Sequence, residues 1–256
     1  MKHFSKNSWN LVWVLARTDF KLRYQGSVLG FFWALLKPLF LFAVLFVVFS
    51  HFFGQQTPFY GYQLLLGIIF WNFFSEGTLL GLTSLQSKSH LLKNISFPRW
   101  VAVVAATLQS FLSFLIQWLL FFVFLLFSGL SFSLWQFCFL GIYILLLYAL
   151  VLGFSFFAAP FFLRFRDFNQ IWEVLLMVGF YAAPIIYPLS MMPPWLQPWL
   201  YSNPVTFLIE HARGVLFLGS VSRWDHHAIY FSAVGLVFLV GGWFFRKFEK
   251  RVVELL

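Results

Sequence analysis

The sequence predicts an all-α fold: a polytopic membrane protein with six transmembrane helices, an N-terminal amphipathic interface helix, and re-entrant helices between the fifth and sixth spans. Three observations lead there. Apolar residues make up 61% of the 256-residue chain, against roughly 45–50% in a soluble domain, and mean hydropathy is +0.85. The apolar residues come in continuous runs, not in the alternating segments of about ten residues that build a transmembrane β-barrel. The cations are sorted: of 17 Lys and Arg, all but Arg213 and Arg223 fall on one side of the runs.

Residues 1–27 stay outside the bilayer. Trp9, Trp13, Ala16, Phe20 and Tyr24 recur at spacings of three and four and share one helical face, whereas Asn10, Arg17 and Lys21 fall elsewhere. Asp19 stands four residues before Arg23, the spacing of a helical ion pair. This is the pattern of a helix lying in the interface with its aromatic side toward lipid, although basic residues beside a span also serve as plain anchors on anionic lipid. Gly26 then lets the chain turn into the membrane. No cleaved signal peptide is expected, because charges follow the short apolar stretch at once and no small-x-small site separates them.

Spans follow at 28–53, 62–85, 100–127, 134–163, 168–187 and 228–245, each near or above the 20 or so residues a crossing needs. Pro38 and Pro160 are expected kinks or boundaries in the first and fourth. Between the second and third lies QSKSHLLKNISFPR, where His90-Leu91-Leu92-Lys93 has room for a single helical turn. Arg164 and Arg166 occupy a tight turn between the fourth and fifth, with Asp167 as a candidate N-cap. The segment after the fifth span holds two short apolar pieces separated by Ser202-Asn203-Pro204, each too short to cross. They read either as re-entrant helices, tolerable where backbone is buried in protein or lines a cavity, or as an external loop resting on lipid. A short tail, 249–256, closes the chain. The positive-inside rule places both termini in the cytosol.

Composition also excludes functions. A formal charge of +9 would raise nucleic acid as a partner for a soluble protein, but here the cations flank apolar runs. The single cysteine, Cys138, forbids an intrachain disulfide. No G-x-x-x-x-G-K-[ST] occurs, nor any Gly-Lys dipeptide, and the soluble parts are too small for a nucleotide-binding domain. A gradient-driven transporter would set several ionisable groups near the midplane, and only Lys37, Glu76 and Glu173 are candidates. A membrane enzyme needs convergent acids or histidines, whereas His51, His90 and His211 are scattered. Asp225-His226-His227 suggests a metal only if a further ligand approaches, and a solvated loop is expected there. Work must come from a partner.

Five stretches carry a resemblance: RTDFKLRYQGSVLGFFWALLKPL, LLGIIFWNFFSEG, LLKNISFPRW, RFRDF and APIIYPLSMMPPWLQPWLYSNPVTFLIEHARGVLFLG. In order and spacing they resemble the permease subunits of ABC transporters that export polysaccharides, nearer the O-antigen and teichoic-acid exporters than the capsule exporters. The resemblance implies a homodimer in the cytoplasmic membrane with two cytosolic ATPase subunits. ATP and Mg would bind only the partner, and no cofactor would bind this chain. The cargo would be a glycan on undecaprenyl diphosphate, moved outward. A related exporter of another lipid or a drug is the alternative within the same fold.

The resemblance also implies roles. The helix bearing Arg17, Asp19, Lys21, Arg23 and Tyr24 becomes a gate helix touching ATPase or incoming substrate. The turn at 87–95, with His90, Leu91, Leu92, Lys93 and Asn94, becomes the coupling helix. Pro184, Pro188, Asn203 and Pro204 belong to the external gate. Lys37 either snorkels to headgroups or meets a diphosphate as a point charge. Arg164 and Arg166 are either anchors or diphosphate contacts. Glu76 is expected to cap or pair within the bundle, with Arg17 or Lys37 as partners. Trp33, Tyr181 and Tyr187 are candidate channel aromatics, offering flat apolar rings to sugar faces.

Overall fold

A computed structural model describes residues 6–95, 97–130, 132–219 and 224–249. Those residues contain helices and no strands. Helix α1 (Lys6–Tyr24) is followed by a turn at Gly26, whose φ of +82° lies in the left-handed region that glycine tolerates. A 3-10 turn, Gly30–Phe32, then runs directly into α2 (Trp33–Phe53). The bundle continues with α3 (Tyr60–Ser87), the short α4 (Ser89–Asn94), α5 (Trp100–Leu126) and α6 (Leu134–Arg164). Next come α7 (Phe168–Ala182), α8 (Gln197–Tyr201), α9 (Pro204–Arg213) with a π-helical continuation over Gly214–Leu218, and α10 (Trp224–Phe248). Five of these stretches are long and apolar enough to cross a membrane: Gly30–Phe53, Tyr60–Ser87, Trp100–Leu126, Leu134–Arg164 and His227–Phe248.

The expected fifth span, 168–187, differs. Its helix α7 has 15 residues, about 22 Å at 1.5 Å per residue, and stops at Ala182. Pro184 is the cause: the residue before a proline is driven out of the helical region, and Ala183 is extended at φ −72°, ψ 142°. Neither of the two prolines expected as kinks or boundaries ends a helix. Pro38 and Pro160 both lie inside continuous helices. Pro38 is the sixth residue of α2, and the Ala34 carbonyl that its missing N–H leaves without a helical donor accepts instead from Gln117 Nε2 at 3.2 Å.

Helix α3 is the centre. Leu64–Trp71 are buried without a break, and α3 packs on α2, α5, α6, α7 and α9. Small residues allow the closest approaches: a Cβ at Gly77 or Gly81 would run into Val151 and Ser110, or into Ser155. At the α6–α10 crossing Gly153 and Gly241 face each other, and a Cβ on Gly153 would lie 2.7 Å from the backbone of Phe238. Such close backbone contact is how helices associate when burial from water contributes little.

Helix α1 is more embedded than a helix resting on lipid. Val12 and Ala16 are buried against Val101, Val104 and Ala105 of α5, and Trp9 meets Trp100 with ring centroids 5.6 Å apart. Ala16 therefore belongs to the face packed on protein, while Trp9, in contact with Trp100, and Trp13 are both half exposed. The expected aromatic face is thus split. Partners further along place Arg23 against Glu76 in α3 and the carbonyl of Ala34 against Gln117 in α5, so α1 climbs alongside α5 and α2 starts part-way up the bundle.

The segment beyond α7 is mostly buried in protein. From Val205 to Arg213 only Glu210 escapes full burial in α9, whereas Trp195 and Trp199 around α8 stand exposed. Helix α9 is thus buried in protein, and the α8 region presents aromatic surface.

Candidate functional site

Two ion pairs fasten α1 to α3 and its C-terminal end. Lys88 Nζ donates to Asp19 Oδ2 at 2.5 Å, with Lys88 buried. Arg23 pairs with Glu76, and this pair is more open, with side chains 32% and 22% exposed. Asp19 therefore does not pair with Arg23 along the helix, because each finds a buried or half-buried partner in α3 or at its end. Glu76 takes Arg23 and not Arg17, which is exposed, as is Lys21. Burial would lower the Arg23 pKa, but the adjacent Glu76 carboxylate outweighs it and holds the guanidinium above its ordinary value.

Beside this pair lies a cleft of about 400 Å³ between α1, α2 and α3. It gathers six residues singled out in the sequence: Arg23, Tyr24, Trp33, Lys37, Pro38 and Glu76. Asn72, Ser75, Glu76 and Gln117 supply polar groups to the same walls. Lys37 lies close enough to act on the Glu76 carboxylate electrostatically. The Trp33 indole N–H donates to Ser27 Oγ at 3.1 Å, and the Arg23 guanidinium sits 5.6 Å from the centre of the Tyr24 ring. Gln117 Nε2 donates to the Ala34 carbonyl at 3.2 Å, while Gln117 Oε1 and Ser75 Oγ are buried with no hydrogen-bond partner among the described residues. The cleft thus combines cations, a carboxylate, amides, hydroxyls and two aromatic rings.

At the end of the bundle where α3 gives way to α4, that short helix is set down by one residue. Leu92 packs against Leu85, Ala102 and Phe245, while His90, Leu91, Lys93 and Asn94 are exposed. Arg99 Nη1 donates to the carbonyl of Glu249 at 2.7 Å, bringing the close of α10 to the same end. The Arg164–Arg166 turn is exposed and separate from the cleft, with Arg164 over the Phe165 ring at 5.7 Å. Asp167 precedes α7 but makes no capping bond from its side chain, since its helical backbone angles do not present the carboxylate to the first free N–H groups.

The opposite end is held by a residue that the sequence reading passed over. Arg213, buried, donates from Nη1 to the Pro184 carbonyl (2.6 Å) and to Glu210 (2.7 Å). Its Nη2 reaches the carbonyls of Ile185 (2.8 Å) and Gln63 (3.0 Å). One guanidinium fork therefore ties the start of α3, the break after α7 and the end of α9. A signal was present: Glu210 stands three residues before Arg213 in an apolar neighbourhood, the spacing of an ion pair on one face of a helix. Tyr60 adds a bond from its hydroxyl to the Ile186 carbonyl at 2.8 Å.

Near this knot lie two of the expected channel aromatics, Tyr181 and Tyr187, and the expected external-gate residues Pro188, Asn203 and Pro204. Tyr187 donates its hydroxyl to the carbonyls of Ala182 and Tyr181, at 2.9 and 3.3 Å, closing the end of α7. Tyr181 itself is exposed on the outer surface of α7. Pro188 leads into a 3-10 turn, Leu189–Met191. Asn203 caps α9, its Oδ1 accepting from the Val205 N–H at 2.9 Å, and Pro204 occupies the first turn, where a missing N–H costs nothing. His227 does not sit in a solvated loop: it is buried in α10 with Nε2 2.9 Å from the Tyr143 hydroxyl. Asp225 and His226 have side chains outside the described residues. Among the described residues, no three His, Cys, Asp or Glu side chains gather as a metal site would need.

The profile of the ABC-2 type transporter family matches residues 10–217. The chain belongs to that family. As an ABC-2 permease it is the multi-pass transmembrane subunit of a transporter, is not itself catalytic, and works with an ATPase subunit. Among its relatives, an O-antigen export system permease protein RfbA from Klebsiella pneumoniae is 27% identical over 259 residues, covering 100% of this chain and 98% of that protein. The protein of the same description from Myxococcus xanthus is also 27% identical, over 176 residues that cover 69% of this chain and 67% of that one.

Proposed function

We propose that this ABC-2 permease exports a lipid-linked polysaccharide, an O-antigen-like or teichoic-acid-like glycan on undecaprenyl diphosphate, outward across the cytoplasmic membrane. The observation that carries this reading is the full-length similarity to an O-antigen export permease, which leaves no part of the two chains unmatched by more than a few residues. The chain works as a homodimer with two ATPase copies, which bind ATP and Mg; this chain binds no cofactor of its own. Both termini face the cytosol. The short α7, prolonged by the extended stretch after Ala182, forms the fifth of six crossings, and α9 enters the membrane from the outer side and returns. Helix α4 is the contact through which the ATPase acts, supported by its anchoring through Leu92 and the exposure of His90, Leu91, Lys93 and Asn94. Helix α1 gates access to the conduit.

Reconstitution of the chain with its ATPase in vesicles tests the reading. Lipid-linked glycan should stimulate ATP hydrolysis, and glycan should appear in the compartment opposite the ATPase. Hydrolysis stimulated by other lipids or drugs, and not by lipid-linked glycan, would overturn the substrate assignment.

A further inference from the structure

The elbow between α1 and the first span encloses a second cleft, of about 450 Å³, lined by Phe20, Lys21, Tyr24, Gln25 and Phe31. Its wall shares only Tyr24 with the charged cleft. The three rings meet pairwise: Phe20–Tyr24, Phe20–Phe31 and Tyr24–Phe31 have centroids 5.3, 5.8 and 6.2 Å apart, with interplanar angles of 67°, 72° and 74°. Three nearly perpendicular planes make the corner of a box. A flat sugar face needs a ring lying open and parallel to it, whereas a compact, rounded cation is attracted to several ring faces at once. The Arg23 guanidinium already draws on the Tyr24 ring, so Phe20 and Phe31 are the rings left to a ligand.

Lys21 and Gln25 narrow the choice. A simple organic cation would be repelled by the Lys21 ammonium, and a lone phosphate would leave the rings unused. A ligand carrying both charges a short linker apart answers both. Its ammonium enters the ring corner within reach of the Gln25 amide oxygen, and its phosphate meets Lys21. Position supplies the source. Phe20, Lys21 and Tyr24 belong to the last turns of α1, while Phe31 opens the apolar stretch Gly30–Phe53 that is long enough to cross a membrane. The box therefore straddles the step from interfacial to membrane-crossing sequence, the level at which phospholipid headgroups lie.

We propose that this box binds the ammonium end of a zwitterionic phospholipid headgroup, phosphoethanolamine or phosphocholine, drawn from the surrounding membrane and bridging α1 to the 3-10 turn across Gly26. The site goes beyond the export reading and does not depend on which cargo is moved.

The test is lipid binding by the assembled permease–ATPase complex in detergent, read by native mass spectrometry. The probes are dihexanoyl phosphatidylethanolamine and phosphatidylcholine, with dihexanoyl phosphatidylglycerol, which has the phosphate but no ammonium, as the comparison. Phe31→Leu isolates this box from other bound lipid. It should weaken binding of at least one zwitterionic lipid about fivefold, the loss of one ring's attraction, and leave the glycerol lipid unchanged. Phe31→Tyr should retain the affinity. Lys21→Gln should weaken zwitterionic and glycerol lipids by a similar factor.

If Phe31→Leu weakens neither zwitterionic lipid, or weakens the glycerol lipid equally, the box does not recognise an ammonium and the proposal fails. An effect of Lys21→Gln on the glycerol lipid alone would remove the phosphate contact and overturn the zwitterion. Displacement of the bound zwitterionic lipid by lactose would make the rings a sugar platform and overturn the lipid assignment. If Phe31→Leu does not assemble, Phe20→Leu reads the same ring corner from α1, with the same outcomes deciding.

Discussion

Arg213 shows how much one buried side chain can organise. Its fork serves three backbone carbonyls and Glu210 from three separate segments. Arg213→Ala would leave Glu210 unpaired and those carbonyls without their donor, at a cost of about 3 kcal/mol or more. Thermal unfolding of the purified complex in detergent should show this loss. Arg213→Lys should recover little of it, because an ammonium cannot span the same set of acceptors. At the α6–α10 crossing the constraint is steric instead. Gly241→Val would drive a side chain into the backbone of Gly153, and the same measurement should report a loss of roughly 1–3 kcal/mol.

Among the elements, α4 makes the sharpest separation between folding and coupling. Leu92 faces the bundle and Leu91 faces outward. Leu92→Ala should cost about 1 kcal/mol of stability through lost burial. Leu91→Asp should leave stability unchanged while lowering copurification of the ATPase and uncoupling hydrolysis from transport. An opposite assignment of effects would place the contact elsewhere.

The five long helices were legible because an apolar run of that length has few other uses, and the break between two short helices at Ser202-Asn203-Pro204 because a proline after polar residues is a local signal. What was not legible depended on distant packing. Asp19 and Arg23 have the spacing of a helical pair, yet each reaches a partner in α3 or at its end. The aromatic face of α1 was read by periodicity, which cannot know that α5 would bury Ala16 and leave Trp9 and Trp13 half exposed. The fifth span was overextended because composition continues apolar past Pro184 while the backbone cannot continue helical. Tyr187 was chosen for its ring, and its hydroxyl turned out to close a helix end.

Taken as a whole, the molecule separates its tasks by position. The end carrying α4 and the close of α10 presents exposed polar groups. The opposite end is locked by Arg213 and Tyr60. Between them lies the charged cleft under α1. No element provides a phosphate-binding loop, so the account requires that motion of the bundle be imposed from outside the chain. Vesicles preloaded with a gradient of lipid-linked glycan test this most directly, comparing the permease alone, the permease with its ATPase, and the pair with ATP. The account predicts uphill movement only in the last case. Uphill movement by the isolated permease, with no ATPase present, would contradict it.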